Sequence, residues 1–424
     1  MSQEGRMNYH KKRCAAISCL TWILVACFVV HGAELVTVDG VLHMKNGSIP
    51  ESGTVVWELE EMWRTGGEDS DMVFGQILRV RDDEEGNVYV LDAQLNHIEV
   101  FSPRGEHLRT VSREGEGPGE IRQPGDFFIL PDGTINILTL FPGKLTKLSR
   151  GGDPLGSMQI GVKDPTEGGF VASFRASAYG TNVVCGAAES DMTDGVQHRT
   201  WFACRIDTSG RELARCYARD ATLDFSDPVF IEKDLIDWGA VNAEPGPEGK
   251  VYTAPEWDTY RIHVHEPDGK IGMIIERDFE TRLRTDREQN LMRSVFEAWG
   301  RDSPVEMEYD IEKHPPVIRD LFIDGTGRIW VENNRSRLNQ PDGIFMTFDV
   351  FQPDGRFENQ VRIRCDADSE YDELYILDEN HAVIVTGGID AFFGAMAGGA
   401  MSDEIESDVE LLELVYYSIK RVEE

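Results

Sequence analysis

The stretch Glu84-Glu85-Gly86-Asn87-Val88-Tyr89-Val90-Leu91-Asp92, followed by His97-Ile98-Glu99-Val100-Phe101-Ser102-Pro103-Arg104-Gly105, decides the fold, because the chain repeats it. It returns as Gly246-Pro247-Glu248-Gly249-Lys250-Val251-Tyr252 and Tyr260-Arg261-Ile262-His263-Val264-His265-Glu266-Pro267-Asp268-Gly269. It returns again as Asp324-Gly325-Thr326-Gly327-Arg328-Ile329-Trp330-Val331 and Met346-Thr347-Phe348-Asp349-Val350-Phe351-Gln352-Pro353-Asp354-Gly355. Each copy is a short apolar strand, a loop, a second strand and an Asp/Gly turn. One such unit of roughly 40 residues cannot bury its faces alone. Stacked around an axis, the units make a β-propeller.

Six repeats can be placed. The first has strands near 77–82, 87–92, 97–102 and 107–113. There Val88, Val90, Ile98 and Val100 are expected on one face, with polar neighbours between. The second follows Asp132-Gly133 and carries 135–138 and 144–148. The third carries 182–188 and 199–206, joined around Asp194-Gly195. The fourth and fifth are the copies quoted above. The sixth has 374–377, 381–386 and a third strand within 409–422, and so ends one strand short. The missing strand stands at the other end of the chain, where 54–65 aligns with the fourth-strand position of repeat one. The expected fold is therefore all-β: a six-bladed β-propeller over 34–424, closed by an N-terminal strand. Closure removes an open sheet edge.

The run Gly115-Glu116-Gly117-Pro118-Gly119-Glu120-Ile121, then Pro124-Gly125, a strand, and Asp132-Gly133, resembles the connector of NHL-repeat propellers. It is most similar to that of bacterial exported proteins described as six-bladed β-propellers. The resemblance implies the fold and a ligand- or protein-binding habit, and no single activity, since function belongs to sites. Some relatives of the fold are lyases or lactone hydrolases with a metal in the central channel. No set of His, Asp or Glu here matches such a motif position by position.

Composition narrows the partners. With 42 Lys and Arg against 76 Asp and Glu, the net charge is −34. Such a surface repels a phosphate backbone, which excludes nucleic acid, and it disfavours anionic lipid. A membrane is reached only through the N-terminus. There His10-Lys11-Lys12-Arg13 precedes the uncharged apolar run 14–30 and a small-residue exit near Gly32, so 1–33 reads as a signal peptide or anchor. The protein is expected outside the cytoplasm, periplasmic or extracellular. Leu24-Val25-Ala26-Cys27 also resembles a lipobox, which would make Cys27 a lipidation site. Outside that segment stand Cys185, Cys204, Cys216 and Cys365. A hairpin around Asp194-Gly195 would set Cys185 opposite Cys204, as a disulfide or as two buried thiols.

Catalytic motifs are missing. In Gly115-x-Gly117-x-Gly119 the third dinucleotide-loop glycine would fall on Glu120. Asp366-x-Asp368-x-Glu370-x-Asp372 has Tyr371 where a calcium loop needs Gly, so it reads as a solvated acidic loop. His97, His263 and His265 fall in third strands and read as structural. Loop length is asymmetric. The first-to-second and third-to-fourth turns are short. The loops 113–126, 218–240, 280–317, 333–343 and 387–408 are long and share the other face, where function is expected.

Within 280–317, between blades four and five, Leu291, Val295 and Trp299 space as one helix face with Asp286 as N-cap. This helical insertion would pack on the disc or act as a lid. The loop 387–401 is Gly/Ala-rich and apolar, with Phe392, Phe393 and Met396 as a partner surface or a channel plug. Ligand contacts are expected from second-to-third-strand loops: Asp92, Gln94 and Asn96; Glu256, Trp257 and Tyr260; Asn333 and Arg335. Their polar and aromatic mix suits a peptide, protein or carbohydrate. The functional expectation is a non-catalytic binding scaffold of the cell envelope without a cofactor. The alternative is a lyase or hydrolase with a divalent metal in the channel.

Overall fold

The structure is a computed structural model that describes residues 32–68, 70–161, 169–301, 307–397 and 411–422. The proposed lipidation site Cys27, and most of the N-terminal segment 1–33, lie outside these residues.

The six repeats form six antiparallel blades. Blade one is Ile77–Asp82, Val88–Asp92, His97–Phe101 and His107–Val111. Blade two is Pro124–Ile129, Ile135–Thr139, Lys144–Leu148 and Pro154–Gln159. Blade three is longer: Phe170–Tyr179, Asn182–Thr193, Val196–Ile206 and Glu212–Asp224. Blade four is Glu244–Pro245, Val251–Thr253, Arg261–His265 and Ile271–Arg277. Blade five is Ile318–Ile323, Ile329–Asn333, Ile344–Phe351 and Phe357–Arg364. Blade six is Glu373–Ile376, His381–Val385 and Glu413–Val422, closed by the N-terminal strand Thr54–Gly66.

The repeated phrase is a turn device. Asp83, Asp207 and Asp324 each accept the backbone N–H groups two and four residues on through one carboxylate oxygen. Ser102 does the same with its hydroxyl. The glycines Gly105, Gly133, Gly210, Gly269, Gly327 and Gly355 hold φ between 82° and 87°, a region that costs other residues strain. The side chain satisfies the turn and the glycine lets the chain reverse, so the phrase recurs wherever two strands must meet tightly.

Three features go beyond the expected architecture. A hairpin, Glu34–Val38 with Val41–Asn46, extends blade four by running parallel to its outer strand. Asn46 fastens it, donating to Glu276 and Gly355 carbonyls and accepting from Phe357 N–H. The closing strand does double duty: Thr54–Glu58 also runs parallel to Gln360–Arg364 and welds blade five to blade six. The alternation in blade one also differs from expectation. Val88 and Val90 pack toward blade six with Val383 and Leu414, whereas Ile98 and Val100 pack toward blade two with Phe127 and Ile137. Blades are covered on both sides, so both faces of an inner strand are apolar.

Cys185 and Cys204 stand opposite each other in register, and both are free and buried. Asp194 and Gly195 have φ of 52° and 84°, a two-residue type I′ turn whose flanking pair Thr193–Val196 is hydrogen-bonded. Eight unbroken register steps lead to Cys185–Cys204, which is thus a hydrogen-bonded pair too. Its Cβ atoms stand near the far end of about 4.5–5.5 Å, wider than the ~3.8 Å a disulfide takes. Denatured but unreduced protein should therefore alkylate at Cys185, Cys204, Cys216 and Cys365. A mass showing two of these four blocked would contradict this.

Candidate functional site

The long loops come together. Val229–Ile231, after blade three, pairs in parallel with Glu308–Asp310, before blade five. Between them in sequence lies the insertion helix Asp286–Gly300. Thr285 is its N-cap in a full capping box with Glu288, so Asp286 is the first helical residue instead of the cap. The loop expected to be irregular after Gly387 forms a second helix, Gly388–Met396, because its Ala, Phe and Met residues are adequate helix formers.

The two helices meet. Arg287 pairs with Asp390, and the Trp299 indole N–H donates to the Met396 carbonyl. Phe230, Val295 and Phe296 form a small core with Met292, Tyr309, Phe393 and Met396 around it. Phe296 replaces the anticipated Trp299 in the buried stripe, and Trp299 stays partly exposed. Arg284 holds buried Glu232 through two guanidinium nitrogens. Together these insertions make a cap. Phe393 and Met396 belong to its interior, and Phe392 stands 40% exposed.

Below the cap, the innermost strands carry a ring of charge. Arg79 and Arg81 of blade one reach Asp126 of blade two at 3.4 and 3.2 Å. Arg175 of blade three stands 3.8 Å from Asp126 and 3.9 Å from Asp320 of blade five. Its Nε donates to Glu244 of blade four at 2.8 Å. Arg337, from the loop after Glu332, holds Glu332 at 2.9 Å and Glu373 of blade six at 3.2 Å. Arg319 lies 3.9 Å from Glu332. In four blades a register shift immediately precedes the ring residue: Ile77/Arg79, Pro124/Asp126, Ser173/Arg175 and Ile318/Asp320. A bulge re-aims the side chain that follows it, here away from the sheet and into the axis. These residues sit near the starts of strands that begin at the long-loop face. The second helix leans on the ring, since a Cβ added at Gly388 would lie 3.2 Å from that of Glu373.

The environment sorts these acids. Burial pushes the Asp126 carboxyl up, but Arg79, Arg81 and Arg175 outweigh it and hold it below its usual range. Glu332 is likewise held down against burial by Arg337 and Arg319. Glu373 goes the other way: burial, with Glu332 and Asp320 nearby, raises it despite Arg337. Among the described residues, no group of three or more His, Cys, Asp or Glu is arranged to hold a metal ion.

The anticipated ligand residues do not gather into one open surface. Asp92 is buried and accepts the N–H groups of Gly75, Gln76, Gln94 and Leu95, so it shapes its own loop. Gln94 is exposed. Asn96 accepts from Gln123 N–H and ties blade one to blade two. Glu256 lies 2.9 Å from His263. Trp257 is buried, and its indole N–H donates to the His314 carbonyl. Arg335 is exposed and donates to the Glu280 and Thr281 carbonyls. Tyr260 and Asn333 do converge, but on buried Asp349 between blades four and five, at 2.9 and 2.7 Å. Backbone groups claim the polar atoms of Asp92, Asn96, Trp257 and Arg335, all at loop roots.

The ring itself was not anticipated. Its signal in the sequence is a charged residue at the third position of the inner strand in three separate repeats, Arg79, Asp126 and Asp320.

His265 is structural, as its strand position suggested. It is buried, with Nδ1 donating to the Gly269 carbonyl at 3.2 Å and Nε2 accepting from Thr253 Oγ1 at 3.0 Å. Burial pushes its pKa down to about 4, against the pull of the Gly269 carbonyl. The unfolded chain then binds the proton more tightly. Stability from this group is full above about pH 6.5 and is lost as pH falls toward 4, by up to about 3 kcal/mol. Asp82 works in the opposite sense. Burial and Asp378 raise it to about 7, so its contribution is lost as pH rises. The difference between wild type and His265→Gln isolates the histidine. Urea melts should show the wild type losing more stability than the variant between pH 6.5 and 4.5, and parallel profiles would contradict it.

The fold is matched by known proteins. The DUF5128 family model, described as a 6-bladed beta-propeller, matches residues 68–160, which span blades one and two. No curated protein matches the chain. Among solved structures, a Bacteroides fragilis protein described as exported is 12% identical, with TM-score 0.48, covering 90% of this chain and 100% of its own. A DUF4221 family member from Bacteroides vulgatus is 10% identical, with TM-score 0.47, over 87% and 99%. Virginiamycin B lyase from Staphylococcus aureus is 9% identical, with TM-score 0.37, over 78% and 82%. The chain is a six-bladed β-propeller. Among its described residues, no helix is long and apolar enough to cross a membrane.

Proposed function

We propose that this chain is an exported, NHL-like propeller acting as a non-catalytic binding scaffold in the cell envelope, with a peptide, protein or carbohydrate as ligand. The observation that carries the reading is the convergence of the long insertions over one end of a charge-lined axis. A rigid disc that gathers its variable loops at one mouth is built to hold something there. The buried axial carboxylates Asp126, Glu244 and Glu332 each face a guanidinium, an arrangement suited to recognition. Export rests on the basic and apolar N-terminal segment.

The test is a screen of peptides and oligosaccharides against the mature protein by thermal shift. Product analysis and elemental analysis are run on the same samples. A reproducible shift with unchanged ligand supports the reading. Chemical turnover together with a stoichiometric metal would replace it with the enzyme alternative.

A further inference from the structure

We propose that the axial ring of charge binds a zwitterion, a ligand bearing a carboxylate and an ammonium group on a short frame, as a free amino acid or a short peptide does. This rests on the binding reading above and names its ligand class.

The ring is neutral as a whole and polarised across its width. On blades one to four, three guanidiniums (Arg79, Arg81, Arg175) meet two carboxylates, Asp126 and Glu244. On blades five and six, two guanidiniums (Arg319, Arg337) meet three carboxylates, Asp320, Glu332 and Glu373. One wall therefore carries an excess positive charge and the other an excess negative charge.

The excess lies on the side chains that water reaches. Arg79 and Arg81, 29% and 28% exposed, share the single carboxylate of fully buried Asp126. Asp320 is 50% exposed, and its nearest guanidinium is 3.9 Å away. Glu373 is 34% exposed with one guanidinium contact. The well-matched pairs, Arg175–Glu244 and Arg337–Glu332, are the ones out of solvent. Arg79 Nε is buried and meets Asp126 only as a long ion pair at 3.4 Å, without a hydrogen bond. Tyr375 stands between the two walls. Its hydroxyl donates to the Leu78 carbonyl beside Arg79, and its charge environment includes both Arg79 and Asp320.

A ligand ammonium between Asp320 and Glu373, with its carboxylate toward Arg79 and Arg81, would complete both walls with charge-assisted hydrogen bonds. A simple anion would leave the acidic wall unmatched and must approach a chain of net charge −34. A simple cation would leave Arg79 and Arg81 unmatched. A zwitterion carries no net charge against that field.

The experiment is calorimetric titration of the mature protein at low salt with L-alanyl-L-alanine and the free L-amino acids. N-acetyl-L-alanyl-L-alanine, which lacks the ammonium, and L-alanyl-L-alaninamide, which lacks the carboxylate, serve as matched probes. At least one zwitterion should bind, and at least ten-fold tighter than the two blocked peptides. Asp320→Asn should weaken it at least ten-fold with an unchanged melting temperature, since Asp320 is half-exposed. Should that variant melt early, Arg81→Lys gives a second reading of the opposite wall. Equal binding of all three peptide forms, or binding of the amide alone, overturns the zwitterion while leaving a binding propeller. No binding by any of these probes also overturns it, and the wider screen above then decides the binding reading separately.

Discussion

Asp349→Ala is expected to cost about 3–5 kcal/mol of folding stability, the range for removing one member of a buried ion pair. Asp349 is fully buried in the third strand of blade five. Four side chains from blades four and five donate to it: Tyr260, Asn333 and Gln360 at 2.9, 2.7 and 2.9 Å, and Arg277 as an ion pair. Truncation would strand the Arg277 guanidinium, whose side chain is nearly as buried, and leave three further donors unmatched. Tyr260 registers the same carboxylate, since burial and then Asp349 raise its pKa well above the usual value. Urea unfolding of wild type, Asp349→Ala and the double variant Asp349→Leu/Arg277→Met would measure it. The double variant should recover part of the loss, because an apolar pair leaves no buried charge. A single-variant loss below about 1 kcal/mol would show that water reaches the site and replaces the missing acceptor.

Asp349 also explains why the fold was more legible than the site. Turn chemistry is local: an Asp or Ser that caps its own turn, and a glycine at positive φ, announce themselves within a few residues. Hence the six blades and the closing strand could be read off the chain. Tyr260 and Asn333 look like ligand contacts in sequence because each is a polar or aromatic residue at a loop root. Only the fold shows that both point at one carboxylate about 90 residues away in sequence from Tyr260. The axial ring is hidden for a similar reason. Arg79, Asp126, Arg175, Glu244, Asp320 and Glu373 lie in six separate repeats, and each is unremarkable until bulges turn four of them inward. The hairpin 34–46 has its own signal in the Asp39-Gly40 turn, but its parallel, long-range pairing with blade four leaves none.

Trp57→Ala should cost about 3–5 kcal/mol, the usual loss for an emptied aromatic core site. It should also open the ring at one place. Trp57 lies in the closing strand, opposite Ile363 of blade five on one side and Arg421 of blade six on the other. Its ring is buried 4.8 Å from that of Trp330, with the Arg421 guanidinium 5.4 Å over it. Neighbouring strands inside a blade are mostly tied by short turns, so a local defect leaves their ends together. The closing strand has no such tie to either partner, and its pairing must repay the entropy of a loop of some 300 residues. Phe202→Ala, an equally buried truncation within blade three, is the matched control. Both variants should lose comparable global stability. Only Trp57→Ala should accelerate native-state hydrogen exchange selectively along 54–66, 360–364 and 413–422. If both variants exchange alike in these segments, the seam is no weaker than a blade interior. Closure would then be held by the packing of the blades against one another and not by the strand that completes the last of them.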